Sequence, residues 1–165
     1  MRKANLFFSA IAIVVMLATT AFAGDVKKTL PGDLTLEQAQ AILKVAQAKA
    51  VDIKVPMNIA VVDAGGNLKA FYRMDDAFIG SVDISIKKAV TARYFNMPTR
   101  ALGAASQVGK SLYGIEVSND GLILFAGGVP LVDKNNVIIG AIGVSGGSVD
   151  EDESVAMAGA ACLLK

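Results

Sequence analysis

An apolar pattern with helical spacing marks the first third of the chain. The positions that recur three and four residues apart are Leu36, Ala39, Leu43, Ala46 and Ala50. This spacing places them on one helical face, and its alanines permit close packing on a sheet. Thr35 and Gln38 match a capping box, in which each side chain accepts the backbone N–H of the other residue. We therefore predict an amphipathic helix that begins after Thr35.

A strand-like pattern follows this helix. The run from Met57 to Val62 is rich in residues that favour strands, residues 63–67 contain a Gly-Gly turn, and a second such run extends from Leu68 to Arg73. Two runs of this kind around a short glycine-containing turn predict a β-hairpin.

Residues 81–97 alternate at first as a strand would, but the alternation stops at Lys88. A helical face fits the whole segment better, and its members are Val82, Ile86, Ala89 and Val90. Pro98 disfavours helical backbone at the residue before it. We predict a helix that ends before this proline.

The second half of the chain has several short segments. Residues 99–119 lack a clear period, and we predict one or two short helical turns around Val108 to Tyr113. Three strand-like runs follow, over 122–125, 129–132 and 137–144. They are joined by Ala126-Gly127-Gly128 and by a polar turn, and such short connections imply an antiparallel meander.

The C-terminal segment predicts a helix from Val149 to Leu164. Ser148 and Glu151 match a second capping box, and the acids at positions 150–153 lie near the positive end of the helix dipole. The order helix, hairpin, helix, three strands and helix predicts an α+β fold with a five-stranded antiparallel sheet.

Residues 1–23 have the pattern of a secretory signal peptide: a basic start, an apolar middle and the small-x-small sequence Ala21-Phe22-Ala23. The apolar stretch is short of the roughly 20 residues that span a bilayer, which favours cleavage over retention as an anchor. We expect residues 24–165 to form a single domain, periplasmic or secreted, with no membrane segment after cleavage.

Composition excludes several classes of function. The formal net charge is +1, and the charges alternate in sign without a basic run, so nucleic acid is not an expected partner. The lone Cys162 cannot form an internal disulfide.

The sequence GVSGG at 143–147 fits the G-x-S-x-G pattern of a hydrolase nucleophile, but the chain contains no histidine, so a Ser-His-Asp triad cannot form. Ser145 is therefore assigned to a turn.

Glycine-rich blocks across the chain resemble the GlcG and HbpS-like family, which includes the C-terminal domain of a propanediol-utilisation cobalamin adenosyltransferase. The matching blocks are Tyr113-Gly114-Ile115, Gly127-Gly128-Val129-Pro130-Leu131, the stretch 140–147, Asp63 with Gly65-Gly66, and Lys88-Ala89 with Thr91-Ala92. The resemblance therefore covers nearly the whole predicted mature chain.

The resemblance implies a profilin-like α/β/α sandwich that assembles into homo-oligomers. It also implies haem binding for some members of the family, while many members have no assigned activity. This chain departs from members that ligate haem iron through histidine, because it has none. Haem would have to be held by Tyr, Met, Cys or Lys, or by apolar contacts with weak ligation.

Two glycine segments are candidate ligand-binding sites. Ser145-Gly146-Gly147 precedes a helix N-terminus, where backbone N–H groups can hold a carboxylate, although the glycines also suit a tight turn. Gly127 and Gly128, followed by Pro130, suit close approach to a flat ligand or a neighbouring subunit, or a bulge between strands.

Several side chains are further candidates. Tyr113 and Tyr72 combine an aromatic ring with a polar tip, and Lys88 with Arg93 can pair with ligand carboxylates; core or solvated positions are the alternative. Among the acids at positions 150–153, Asp150 and Glu153 lie on one helical face and could supply two metal ligands. The capping box and the helix dipole already account for these acids, so we predict no metal site.

Two functional hypotheses follow. The first is an exported, oligomeric protein that binds a small ligand, either haem or a related planar carboxylate. The second is an enzyme acting on a small organic acid, with an acid/base site at a subunit interface that draws on Asp63, Lys88 and Tyr113. A purely structural assembly role is also open, since one fold serves many functions.

Overall fold

A computed structural model of the chain describes residues 32–164. Its helices are α1 (Leu36–Asp52), α2 (Ser81–Phe95), α3 (Thr99–Ala105) and α4 (Val149–Ala160). Its strands are β1 (Asn58–Val62), β2 (Leu68–Arg73), β3 (Gly128–Val132) and β4 (Ile138–Ser145). Short 3₁₀ segments occupy Ile115–Val117 and Ala161–Leu164. The predicted signal peptide lies outside the described residues.

The four strands form one antiparallel sheet in the order β2-β1-β4-β3. The predicted hairpin is confirmed as β1 and β2, and β3 with β4 forms a second hairpin. The first strand of one hairpin pairs with the last strand of the other, so that Asn58 lies opposite Ser145. Both central strands are therefore buried, and β2 and β3 are the edges.

Helices cover both faces of the sheet. On one face, α1 and α4 pack on a core that includes Ile59, Val61 and Ile142. On the other face, α2 packs on a smaller cluster through Ala89 and Ala92. The result is an α/β/α arrangement in which the two core faces follow the alternation of side chains along each strand.

The prediction of five strands is wrong. Residues 122–124 have no strand pairing, because their backbone is held by helices instead. The N–H of Ile123 donates to Thr91 Oγ1 at 3.1 Å, and the Leu124 carbonyl lies so close to α3 that a Cβ on Gly103 would be 1.9 Å from it. The apolar side chains thus mark a segment packed across helices, not a sheet strand.

Other boundaries also differ from the predictions. The helix in the irregular region is α3, which starts directly after Pro98, whereas residues 106–114 form separate hydrogen-bonded turns. The C-terminal α-helix ends at Ala160 and continues as a 3₁₀ segment. On α1, Leu36 is exposed and Ile42 is buried in its place.

No helix among residues 32–164 is long and apolar enough to cross a membrane.

Both predicted capping boxes are confirmed, at Thr35 with Gln38 and at Ser148 with Glu151. In the second, the N–H of Ser148 donates to Glu151 Oε2 at 2.8 Å, which lowers the pKa of that carboxyl.

The Ser148 cap makes a testable contribution to stability. Replacing Ser148 by Ala removes the hydroxyl that accepts the Glu151 N–H, and we expect the free energy of unfolding to fall by about 1 kcal/mol. Urea unfolding followed by circular dichroism measures this. Ser154→Ala, at an exposed position inside the same helix, is the control and should leave stability unchanged or slightly higher. Equal losses in both variants would contradict a capping role.

Candidate functional site

A buried lysine lies at the centre of the candidate site. Lys88, in the middle of α2, has no exposed side-chain surface. Its Nζ donates to Asp152 Oδ2 at 2.7 Å and to the Val144 carbonyl at 2.8 Å. The ring of Phe125 lies over the ammonium group, with its centroid 4.8 Å away, a cation–π geometry. The predicted ligand-binding lysine is therefore fully engaged by the protein itself.

Glycines make room for this ion pair beside the sheet. Gly127 has φ +115°, a conformation that favours glycine, and a Cβ there would lie 2.8 Å from Lys88 Nζ and 2.9 Å from Asp152 Cβ. At Gly128, a Cβ would lie 2.4 Å from the Lys88 carbonyl, and the Gly128 N–H donates to Thr99 Oγ1 at 3.0 Å. The two glycines thus permit close approach to α2.

The second carboxylate oxygen of Asp152 binds the next glycine segment. The Gly147 N–H donates to Asp152 Oδ1 at 2.9 Å. An N–H predicted to hold a ligand carboxylate therefore holds a carboxylate of the chain itself. Ser145, two residues earlier, is buried at the end of β4. The pair Lys88 and Asp152 consequently connects α2 on one face of the sheet with α4 on the other.

Burial dominates the electrostatics of this pair. Desolvation lowers the pKa of Lys88, and the hydrogen bond and charge of Asp152 oppose that shift. Desolvation likewise raises the pKa of Asp152, and Lys88 with the N–H groups of Gly147 and Gly146 opposes it. Each group stabilises the charged form of the other, so neither can be removed without leaving a buried charge uncompensated.

Other predicted site residues lie elsewhere. Asp63 follows β1 at the opposite end of the sheet, about 13 Å along the strand from Ile59, the residue level with Val144. Its Oδ1 accepts the N–H groups of Gly65 and Asn67, which is a turn-forming role. Within one chain, Asp63 and Lys88 do not meet, so the predicted acid/base site still requires a subunit interface.

The aromatic and cationic candidates are also dispersed. Tyr113 is 66 % exposed in the turns after α3, whereas Tyr72 is half-buried against the larger core. Arg93 donates to Asn96 Oδ1, and its Nε is buried without a hydrogen-bond partner among the described residues. Pro130, on the edge strand β3, lines an apolar cleft of about 190 Å³ with Met157 and other residues of β3, α4 and Ala161.

The acids at the start of α4 also have a protein partner. The Arg100 guanidinium donates to Glu153 Oε2 at 2.6 Å and also to Asp150. These are the two carboxylates that share a helical face, so a side-chain cation binds them. Between residues 32 and 164, no group of three or more potential metal ligands is present.

Sequence reasoning missed Asp152 as the partner of Lys88. The acid was assigned to the helix dipole together with its neighbours, although it alone among them is buried. The predicted apolar face of the helix that carries Lys88 was also wrong in part, because Val82, Ile86 and Val90 are only partly buried. The structure instead buries a stripe at Ser81, Ser85, Lys88 and Ala92, spaced by four, three and four residues. A lysine on such a stripe needs a buried carboxylate.

The fold and site define a class of α/β/α proteins with one four-stranded antiparallel sheet and a buried lysine–aspartate pair at the sheet end. The family described as "Haem degrading protein HbpS-like" matches residues 34–161, and this chain belongs to it. The predicted GlcG and HbpS-like resemblance is thereby confirmed.

Individual relatives agree with this assignment. An uncharacterised 15.0 kDa protein from the dhaT-dhaS intergenic region of Citrobacter freundii is 42% identical over 131 residues, which is 79% of this chain and 92% of the relative. The crystal structure of Klebsiella pneumoniae protein ORFY has a TM-score of 0.77 at 38% identity, with 87% of this chain and 97% of that chain covered. The solved PduOC:haem complex has a TM-score of 0.74 at 32% identity, with 78% and 94% covered.

Proposed function

We propose that this protein is an exported, oligomeric protein that binds haem or a related planar carboxylate. The observation that carries the proposal is the similarity to the PduOC:haem complex over 78% of this chain, together with the family description. The N-terminal signal pattern supports export. The apolar cleft at the β3 edge supports assembly, because an exposed apolar surface favours a partner.

The turn segment after α3 offers a surface that suits haem. Val108, Tyr113 and Val117 are 83 %, 66 % and 85 % exposed. Large apolar side chains gathered in one exposed segment are typical of ligand or partner sites. Lys110 is exposed in the same segment, and its carbonyl accepts the Tyr113 N–H, so a cation that can pair with a propionate lies one turn from the phenol. These residues fit an amphipathic planar ligand.

The iron ligand is the least conventional part of this proposal. The chain contains no histidine, so Tyr, Met, Cys or Lys would have to ligate the iron, or apolar contacts with weak ligation would have to hold the haem. Tyrosine is an established haem ligand type, and haem bound through it supplies an iron centre with one phenolate ligand. Tyr113 is the candidate because it is exposed in the same segment as the exposed Val108 and Val117.

A haemin titration of the chain from Gly24 tests the proposal. We expect a saturable Soret change at a fixed haem-to-subunit ratio, and Tyr113→Phe should weaken binding by about tenfold and alter the spectrum through loss of the phenolate. Tyr94→Phe is the matched control, because Tyr94 is also exposed but lies on α2. Mass measurement of the same samples reports the oligomeric state.

A non-saturating absorbance change, or none, would overturn haem binding. Identical spectra and affinities for the Tyr113→Phe variant and the unmodified chain would overturn Tyr113 as the iron ligand. A monomeric mass with and without haemin would overturn the oligomeric part of the proposal.

A further inference from the structure

A second cleft, distinct from the Tyr113 surface, lies at the end of the sheet where β2 finishes. It has a volume of about 330 Å³ and is lined by Arg73, Met74, Asp75 and Asp76. This volume is at the lower end of the range for ligand pockets. The lining therefore places one cation and two carboxylates in a space that suits a small molecule.

The cleft is fixed to the centre of the sheet. The Met74 N–H donates to the Met57 carbonyl at 3.0 Å, and the Met57 N–H donates to Met74 Sδ at 3.4 Å. Arg73 lies directly opposite Asn58 in the β1–β2 pairing. Pairing with β1 thus positions Arg73, and Met57, just before β1, positions Met74, whereas Asp75 and Asp76 lie in the turn that follows β2.

The charged groups of this cleft are available to a ligand. Within residues 32–164, the Arg73 guanidinium makes a single hydrogen bond, from Nη2 to the Ala77 carbonyl at 3.5 Å, and no carboxylate forms an ion pair with it. In the same part of the chain, no lysine or arginine forms an ion pair with Asp75 or Asp76. A guanidinium with free donors matches a carboxylate in a bidentate geometry, and two free carboxylates match an ammonium group.

A buried acceptor next to this cleft also lacks a partner. Asn58 has 0% exposure; its Nδ2 donates to the Phe78 carbonyl at 3.0 Å, but its Oδ1 has no hydrogen-bond partner in the described part of the chain. An unpaired buried acceptor costs free energy, and sites of this kind are often completed by a water molecule or a ligand donor. This observation is independent of the charged lining and points to the same end of the sheet.

We propose that this cleft binds a small 2-amino carboxylic acid, whose carboxylate pairs with Arg73 and whose ammonium group pairs with Asp75 and Asp76. A divalent metal is a poorer match, because two carboxylates supply too few ligands and Arg73 would repel the ion. The site is separate from haem binding, so either proposal can fail without the other.

The test is calorimetric titration of the haem-free chain from Gly24 with three probes. L-alanine carries both charged groups, propionate carries only the carboxylate, and ethylamine carries only the ammonium group. We expect saturable binding of L-alanine and binding at least about tenfold weaker for each of the other probes. Equal affinities for L-alanine and propionate, or no saturable heat with L-alanine, would overturn the proposal.

Variants separate binding from folding. Arg73→Gln should weaken L-alanine binding by about tenfold, while Arg100→Gln, which removes the same charge on α3, should leave it unchanged. The double variant Asp75→Asn with Asp76→Asn should weaken L-alanine binding and strengthen propionate binding, because the repulsion of the carboxylate is removed. A misfolded variant would not gain affinity for propionate. Unchanged L-alanine affinity in Arg73→Gln would overturn the proposal.

Discussion

Replacing Lys88 by Met is expected to lower the free energy of unfolding by about 3–5 kcal/mol at neutral pH. The substitution leaves Asp152 with a nearly fully buried carboxylate and without its cation. The Gly147 N–H still donates to Asp152 Oδ1, but backbone hydrogen bonds do not replace the opposite charge of the lysine. Urea unfolding followed by circular dichroism, at one protein concentration, measures the loss.

Lys87→Met is the matched control for this prediction. Lys87 is the neighbouring residue, and its ion pair with Asp83 is an exposed i,i+4 contact of 3.0 Å. Exposed pairs of this type contribute about 0.5 kcal/mol to the free energy of unfolding. Lys88→Met should therefore lower that free energy several times more than Lys87→Met does. Similar losses at Lys87 and Lys88 would contradict a structural role for the buried pair.

The loss in free energy of unfolding caused by Lys88→Met, called the deficit below, should become smaller as the pH is lowered. Burial raises the pKa of Asp152 above its unfolded value, and loss of Lys88 removes the largest opposing influence. A folded-state carboxyl with a raised pKa binds a proton more readily than the unfolded chain does, so stability falls as the pH rises through that pKa. We expect the deficit to shrink as the pH is lowered towards the unfolded value of 3.8. A deficit that grows on acidification would contradict this assignment.

Replacing Gly143 by Ala is the second change with a large expected effect. A Cβ at this position would lie 2.0 Å from the Ser85 carbonyl oxygen and 2.5 Å from the Ala89 nitrogen. Both are backbone atoms of α2, so the helix would have to move away from the sheet. We expect a loss of about 3 kcal/mol, at the upper end of the range for overpacked cores.

Gly80→Ala is the control for this substitution. Gly80 precedes α2 with φ −62°, and a Cβ there would have no atom within 4 Å. Its stability should change by no more than about 0.5 kcal/mol. Thermal or urea unfolding compares the two variants, and a tolerant Gly143→Ala variant would show that α2 does not need close contact with β4.

The two largest predicted effects concern the same contact, between α2 and the end of the sheet. Gly143 lets the helix approach, and Lys88 then reaches the Val144 carbonyl and Asp152 beyond the sheet. Thus Gly127, Gly128 and Gly143, which lie in blocks that carry the family resemblance, also make room for the buried ion pair.

Local patterns determined much of the fold. Both capping boxes, the β1–β2 hairpin and all three long helices follow from short-range spacing and hydrogen-bonding preferences, which act within a few residues. The absence of histidine likewise excludes a histidine-based triad whatever the fold.

Tertiary structure decided what the local patterns left open. Residues 122–125 have strand-like apolar character, but packing across α2 and α3 gives their backbone other partners. The pairing of Lys88 with Asp152 joins residues 64 positions apart, and no local spacing specifies it. Burial makes that pair necessary, because a charge removed from water needs an opposite charge in contact, and only the packed chain determines which carboxylate supplies it.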